Sequence, residues 1–238
     1  MMQSAMSLLF PPQCLSCNAL VEDRFALCGP CWRETPFIMG LCCDHCGGPL
    51  IGQGEGDELC DDCMSGPRPW AQGRAAVVYK GNARKIVLAL KHGDRLDLAR
   101  PAAQWMARAG APMLQGGAIL VPIPLHRLRL FRRRFNQSGV LAHEIGRETG
   151  LTVCPDALIR RRRTETQDGK GTEARILNVE GAIVENPRQK GALNGQSVVL
   201  VDDVLTSGAT LAAATRACLT AGATRVCVLV LARVAKDA

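Results

Sequence analysis

One stretch near the end of the chain, where an apolar run stops at two adjacent carboxylates, constrains the fold most. Residues 198–201 are four consecutive aliphatic residues, which is typical of a central parallel strand covered on both faces. Asp202 and Asp203 follow directly, at the carboxyl end of the predicted strand, where open α/β sheets bind their ligands. The stretch therefore predicts a ligand site on a parallel sheet.

Short side chains follow the two acids and begin a predicted helix. Residues 206–210 are small or hydroxylated, and the helix continues through Leu211, Ala214 and Leu219. The free N–H groups at a helix start favour a phosphate, and Gly208 lets the backbone approach it closely. Two carboxylates would repel a phosphate alone, so the ligand should also carry sugar hydroxyls or a magnesium ion. A ribose 5-phosphate fits; an ordinary strand-to-helix junction with a threonine cap is the alternative.

Residues 199–210 closely resemble the phosphoribosyl pyrophosphate (PRPP) signature of type I phosphoribosyltransferases, with Ser207 at a position that is often threonine. The resemblance implies that the acids hold the ribose hydroxyls, that the following turn holds the 5-phosphate, and that Mg²⁺ accompanies PRPP. If transfer occurs, Asp202 and Asp203 would be the catalytic pair that steadies the charged anomeric carbon. The implied PRPP-binding residues are Val201, Asp202, Asp203, Val204, Thr206, Ser207, Gly208, Ala209 and Thr210.

Four Cys-x-x-Cys pairs dominate the first 63 residues. Two thiolates two residues apart in a tight turn can share one metal ion, and zinc would supply folding energy that so short a segment cannot obtain from burial. We therefore predict two structural Zn²⁺ sites. The expected ligands are Cys14, Cys17, Cys28 and Cys31 in the first site and Cys43, Cys46, Cys60 and Cys63 in the second.

The cysteine pattern leaves other arrangements open. The pairs could cross between the two ribbons, and Cys42 could replace Cys43, although its spacing to Cys46 is less favourable. A disulfide framework and a redox pair are rival interpretations, and a reducing compartment disfavours the disulfides. His45 lies inside one pair and is expected to be a bystander.

A cationic loop follows another apolar stretch. Residues 118–124 are predicted to form a strand closed by two prolines, which cannot continue a central ladder. Guanidinium groups match pyrophosphate oxygens in charge and geometry, so the loop is a candidate pyrophosphate site. An exposed basic face or a nucleic-acid patch is the alternative. The arginines concerned are Arg127, Arg132, Arg133 and Arg134.

The remaining periodic segments alternate between strand and helix. We predict strands at residues 75–79, 157–160 and 225–231, and helices at 83–91, 98–109 and 136–148. Residues 164–171 are polar and lack apolar periodicity, which is typical of a lid or a solvated loop. The predicted domains are a double zinc ribbon (1–66), a linker (67–74) and a phosphoribosyltransferase-like domain (75–238).

Composition narrows the classes of partner. The net charge of +7 favours anionic partners such as a phosphorylated ligand or nucleic acid. Aromatic residues make up only 4% of the chain, which disfavours a stacking platform for single strands. No stretch is long enough to span a bilayer and no leader pattern opens the chain, so we expect a cytoplasmic protein without a membrane span.

Taken together, the cysteine pairs and the PRPP signature resemble the ComF (competence protein F) family over almost the whole length. Further runs that carry the resemblance are 90–91, 121–124, 135–137, Gln167 and 175–178. The resemblance implies an α/β type I phosphoribosyltransferase fold, with a parallel-sheet core and flanking helices, preceded by the Cys-rich double zinc ribbon. It also implies binding of PRPP or another phosphoribosyl ligand, and an association with DNA uptake and competence-machinery proteins. Whether phosphoribosyl transfer occurs, with release of pyrophosphate, is open, and a non-catalytic accessory factor that binds single-stranded DNA is the alternative.

Two residues depart from that family pattern. Arg134 stands where a glycine usually precedes Phe-Asn-Gln, so a bulky cation replaces a permissive residue, and His92 stands where a tyrosine is common. No glutaminase cysteine begins the chain, and no Gly-x-x-x-x-Gly-Lys-Ser/Thr loop occurs. The sequence therefore supports neither an ammonia-generating amidotransferase nor an ATP-driven DNA translocase. The acceptor of a transferred phosphoribosyl group is not evident from the sequence.

Overall fold

The computed structural model describes residues 11–54, 57–92, 95–126, 135–162 and 181–235. The predicted cationic loop with Arg127 and Arg132 to Arg134 lies outside the described residues. The predicted lid at 164–171 also lies outside them, as does the run at 175–178. No helix among the described residues is long and apolar enough to cross a membrane.

Four parallel strands form the central sheet, in the order β1, β6, β5, β2. They are β1 (Gln72–Val78), β2 (Ile119–Pro122), β5 (Ser197–Leu205) and β6 (Arg225–Arg233). β5 and β6 occupy the centre because they are aliphatic on both faces. The predicted parallel-sheet core is confirmed.

Two apolar layers cover the sheet. One face packs against α3 (Gly81–His92), α4 (Ala99–Ala109) and α5 (Gln137–Thr149). The other packs against α6 (Ala209–Thr220) and an antiparallel hairpin of β3 (Leu158–Arg160) and β4 (Ile183–Glu185). The cysteine-rich segment contributes α1 (Gly29–Arg33) and α2 (Asp61–Ser65), each of which begins after a cysteine.

The cysteine-rich segment reaches both layers. Leu15 belongs to the apolar cluster on the α3 face, whereas Cys43, Cys46 and Cys63 belong to the cluster on the α6 face. The segment also pairs directly with β1, since Phe37 forms an isolated bridge with Val77. The two halves of the segment therefore contact opposite sides of the sheet.

Two element boundaries near the candidate site differ from expectation. β5 continues through Asp202 and Asp203 to Leu205, because residues 202, 204 and 205 keep their register with β6. α6 begins at Ala209 instead of Thr206, because Gly208 adopts a left-handed conformation with φ 83° that no helix residue can have. β1 begins at Gln72, inside the segment that the sequence predicts as linker.

Candidate functional site

Two carboxylates near the end of β5 form the centre of the candidate site. Asp202 Oδ1 accepts hydrogen bonds from Ser138 Oγ at 2.8 Å and from the N–H of Asp203 at 2.9 Å. Asp203 Oδ2 lies 3.4 Å from Lys91 Nζ. Ser138 lies in the first turn of α5 and Lys91 near the end of α3, so two helices each bring one side chain to the acids.

The environment of Asp202 shifts its pKa. Burial raises the pKa of Asp202 to about 7, and the neighbouring Asp203 carboxylate adds to the rise. The hydrogen bond from Ser138, the N–H of Asp203 and the charge of Lys91 oppose the rise. A carboxyl group with this pKa changes charge close to neutral pH, so a cation or a donor placed beside it would favour the ionised form.

The turn that follows the acids, residues 206–210, is called the phosphate loop below. Its Gly208 has φ 83°, and a Cβ there would lie 2.9 Å from Arg68 Nη1 and 3.0 Å from Trp70 Cη2. The position therefore requires glycine for its backbone conformation and for the close approach of two side chains. Ser207 Oγ accepts a long hydrogen bond from the N–H of Ala209, at 3.4 Å.

Two arginines hold the carbonyl side of this loop. Arg68 Nη1 donates to the Ser207 carbonyl at 2.6 Å. Arg233 Nη1 donates to the carbonyls of Thr206 at 3.1 Å and Leu205 at 3.4 Å. Because the C=O and N–H of a trans peptide point in opposite directions, the N–H groups of residues 206–208 face away from the arginines. The loop thus presents amides on the side opposite to the two cations.

The predicted site residues form two groups: those whose side chains lie at the site and those whose side chains pack in the core. Asp202, Asp203, Thr206 and Ser207 are partly buried or exposed around the end of β5. Val201 and Ala209 are buried, and Val204 packs against the apolar cluster on the α3 face, so their side chains serve the core.

Sequence reasoning missed Ser138, Arg68 and Arg233. Ser138 directly follows the Phe-Asn-Gln run at the start of a predicted helix, so this run could have drawn attention to Ser138. Arg68 falls within a predicted linker, 139 residues from Ser207, and Arg233 lies beyond the predicted last strand. Nothing in the local sequence connects either arginine with the loop.

The structure brings the cysteines together as two groups of four, in sequential pairing. Cys14, Cys17, Cys28 and Cys31 form the first cysteine site, and Cys43, Cys46, Cys60 and Cys63 form the second. Within each group the sulfur atoms lie within 4.8 Å of one another. Cys42 belongs to neither group, and the ribbons do not exchange pairs.

The sulfur distances fit a tetrahedral zinc ion. Cys17 and Cys28 Sγ are 3.6 Å apart, and Cys46 and Cys60 Sγ are 3.7 Å apart. With Zn–S bonds of about 2.3 Å, the edge of the tetrahedron is about 3.8 Å. A disulfide would require about 2.05 Å. The N–H of Cys28 also donates to Cys14 Sγ at 3.3 Å, which suits a thiolate ligand.

Comparison with known proteins agrees with both parts of the structure. Residues 107–238 match the family described as phosphoribosyl transferase domain. The chain belongs to this family. Residues 5–64 match the family described as double zinc ribbon domain. The fold predicted from the sequence, a type I phosphoribosyltransferase fold preceded by a double zinc ribbon, is confirmed.

This phosphoribosyl transferase domain protein aligns with curated relatives over most of their length. It is 29% identical to DNA utilization protein YhgH of Escherichia coli (strain K12), over 95% of this chain and 99% of the relative. It is 24% identical to Competence protein F of Haemophilus influenzae, over 84% and 87%, and 26% identical to Competence protein ComFC of Bacillus subtilis, over 85% and 82%. These relatives confirm the resemblance to the ComF family.

Proposed function

We propose that the protein binds a phosphoribosyl ligand, PRPP or ribose 5-phosphate, at the end of β5. The observation that carries the proposal is that two kinds of group lie close together in the chain. Only two residues separate Asp203 from the phosphate loop, whose carbonyls accept hydrogen bonds from Arg68 and Arg233. Carboxylates accept from ribose hydroxyls, and the outward amides at the start of α6 bind the 5-phosphate.

Magnesium fits the same site as a companion of the ligand. Two adjacent carboxylates offer hard oxygen ligands, but they supply only part of an octahedral shell. With PRPP bound, Asp202 and Asp203 would hold the ion, and it would supply positive charge that stabilises the departing pyrophosphate. Lys91, whose side chain is 31% exposed beside Asp203, adds a cation on that side.

If the site catalyses phosphoribosyl transfer, the chain's own residues act by positioning and by charge. The acceptor forms a bond to the anomeric carbon while the bond from that carbon to pyrophosphate breaks, and pyrophosphate leaves with the electron pair. Asp202 and Asp203 hold the ribose hydroxyls while positive charge develops on the ring. The proton lost by the acceptor passes to solvent or to a base on the acceptor's side.

The relatives suggest the setting in which such a ligand is used. Their names refer to DNA utilization and to competence. We extend this to the present protein and propose a role in DNA uptake or in the use of imported DNA, in the cytoplasm, with competence-machinery proteins as partners. Growth on DNA as sole carbon source, and transformation frequency, compared between the wild type and a strain carrying Asp202→Asn with Asp203→Asn, test the role.

Calorimetry tests ligand binding directly. Ribose 5-phosphate and PRPP, with Mg²⁺, should bind the wild type and should not bind the double Asp→Asn variant at measurable affinity. 2-Deoxyribose 5-phosphate is the matched ligand control, because it lacks one hydroxyl that the acids accept; we expect it to bind about tenfold more weakly. Absence of binding by both ribose ligands at millimolar concentration would refute the proposal.

A second candidate function, binding of single-stranded DNA, is favoured by the net charge of +7 and by the names of the relatives. The affinity for single-stranded DNA, measured by fluorescence anisotropy, should then fall steeply with salt. The reason is that lysine and arginine side chains that neutralise DNA phosphates release the counterions of the DNA. The double Asp→Asn variant separates the two functions. It should lose PRPP binding and keep DNA binding if the sites are distinct.

A further inference from the structure

Two arginines lie between the second cysteine site and the phosphate loop. Arg68 donates to the Ser207 carbonyl at 2.6 Å, and its guanidinium opposes the rise that burial causes in the pKa of the Cys63 thiol. Arg233 donates to the Thr206 carbonyl at 3.1 Å and, together with the larger effect of Cys43, lowers the pKa of the Cys46 thiol. The cysteines of the second site, Trp70 and the loop-bordering residues Leu205 and Ala209 also belong to one buried apolar cluster, so the site and the loop are packed together.

Both cations lie where a charge needs compensation, since Arg233 is 5% exposed and Arg68 is partly buried. The Nε atoms of Arg68 and Arg233 are buried and have no hydrogen-bond partner among the described residues. A guanidinium withdrawn from water is costly even when carbonyls accept some of its hydrogen bonds, so a stable arrangement supplies negative charge nearby. A divalent zinc ion with four thiolate ligands carries a net charge of −2, which balances two guanidinium groups. The residues around the second site thus fit a loaded tetrathiolate centre.

The phosphate loop directly contacts Arg68 and Trp70, the residues that connect it to the second cysteine site. Trp70 is 2% exposed, and its Nε1 donates at 2.5 Å to the carbonyl of His45, which lies between Cys43 and Cys46. The Arg68 guanidinium lies 5.7 Å from the centroid of the Trp70 ring. Since even a Cβ on Gly208 would crowd Arg68 and Trp70, no layer of side chains separates the loop from them.

We propose that Arg68 and Arg233 are positioning residues that couple the second cysteine site to the phosphate loop, so that metal in the site and phosphorylated ligand in the loop stabilise each other. The first cysteine site takes no part in this coupling. The inference rests on the proposed function only for the identity of the ligand. Because a coupling free energy between two binding sites is reciprocal, each partner reports on the other.

Hydrogen exchange tests the coupling without any ligand. In the zinc-loaded protein, Arg68→Met should make the amides of the phosphate loop exchange about tenfold faster or more, since a partly buried charged hydrogen bond is lost. Arg74→Met is the matched control. Arg74 forms a 2.5 Å ion pair with Asp44, which lies between Cys43 and Cys46 of the second cysteine site, and it also donates to the Asp44 carbonyl. Loop exchange that is unchanged in Arg68→Met, or accelerated equally in both variants, overturns the proposal.

Thiol alkylation in the wild type provides the second arm, which does not depend on whether Arg68→Met folds. Under a zinc chelator, the peptides of the second cysteine site should be alkylated several-fold more slowly when ribose 5-phosphate is present, and those of the first site at the same rate. Equal slowing at both sites, or none at either, in a protein that binds ribose 5-phosphate overturns the coupling. If ribose 5-phosphate does not bind, the proposed function fails and hydrogen exchange alone decides the coupling.

Discussion

The two cysteine sites have the same four ligands and the same sulfur spacing but contact different parts of the phosphoribosyltransferase domain. The first site is held by neutral groups: Asn82 at the start of α3 donates to the Cys31 carbonyl at 3.2 Å and to Thr35 Oγ1 at 2.9 Å, and bonds to Ser16. The second site packs in the same buried cluster as Trp70 and Leu205, next to the two arginines that donate to the phosphate loop. We therefore expect the same metal chemistry to serve structure at the first site and ligand binding at the second.

The largest expected difference comes from removing one ligand at each site. Cys60→Ser in the second site should lower the affinity for ribose 5-phosphate by about a hundredfold or more, because Arg68 and Arg233 lose their counter-charge. Cys17→Ser in the first site is the matched change, at another cysteine that is not fully buried. We expect it to alter the affinity less than threefold in calorimetry. Similar losses in the two variants would remove the distinction between the sites.

The second prediction uses the pH dependence of stability. The pKa of Asp202 is raised from 3.8 to about 7, so the folded protein keeps a proton that the unfolded chain releases in this range. The free energy of unfolding should therefore fall as pH rises from about 4 to about 7. At about 1.4 kcal/mol per unit, the contribution is about 4 kcal/mol at most.

Asp202→Asn should remove that slope and stabilise the protein at pH 8 but not at pH 4, because an amide oxygen can still accept from Ser138. Denaturant unfolding at the two pH values measures the effect. Asn82→Ala beside the first site is neutral in both forms, so its cost should not change with pH. A stabilisation by Asp202→Asn that is equal at both pH values would contradict the assigned pKa.

The third prediction concerns crowding at the loop. Gly208→Ala combines a strained backbone with contacts of 2.9 and 3.0 Å to Arg68 and Trp70. Gly191→Ala is the matched control, since Gly191 has φ 86° and nothing within 4 Å of its Cβ position. We expect Gly191→Ala to cost about 1–2 kcal/mol of stability from the left-handed backbone alone, and Gly208→Ala to cost more and to weaken ribose 5-phosphate binding. Equal losses of stability in the two variants would indicate that the loop does not pack closely against Arg68 and Trp70.

The smallest expected effect is at the first cysteine site. Asn82→Ala removes hydrogen bonds to the Cys31 carbonyl and Thr35 and should cost about 1–3 kcal/mol in the free energy of unfolding. Ribose 5-phosphate affinity should stay within twofold of the wild type, because Asn82 lies at the opposite end of α3 from Lys91. A large loss of affinity would show that the first site also acts on the ligand.

Local patterns predicted most of this architecture. Short stretches of sequence were enough to predict three features: the strand at 198–201, the acids that follow it and the four Cys-x-x-Cys pairs. The sequential metal pairing emerges because the two pairs of each site are close in the chain. By contrast, β5 extends to Leu205 because of pairing with β6, which local apolar content does not reveal.

The contacts that distinguish the two cysteine sites are long-range and could not be predicted. Arg68 reaches Ser207 across 139 residues, from a Pro-rich and Gly-rich segment whose composition is typical of a linker. Arg233 is the last residue of β6, although a cation after an apolar run usually indicates that the strand has already ended. A buried guanidinium is recognised by what surrounds it, and that information is absent from its own neighbourhood in the sequence.

The most direct test of the account is to follow the backbone amides of residues 206–210 by ¹H–¹⁵N NMR during a titration with ribose 5-phosphate and Mg²⁺. The account predicts saturable shifts in these amides and in Asp203, and their loss when Asp202 and Asp203 are changed to Asn. Unchanged loop amides at millimolar ligand, or equal shifts in the double variant, would contradict it.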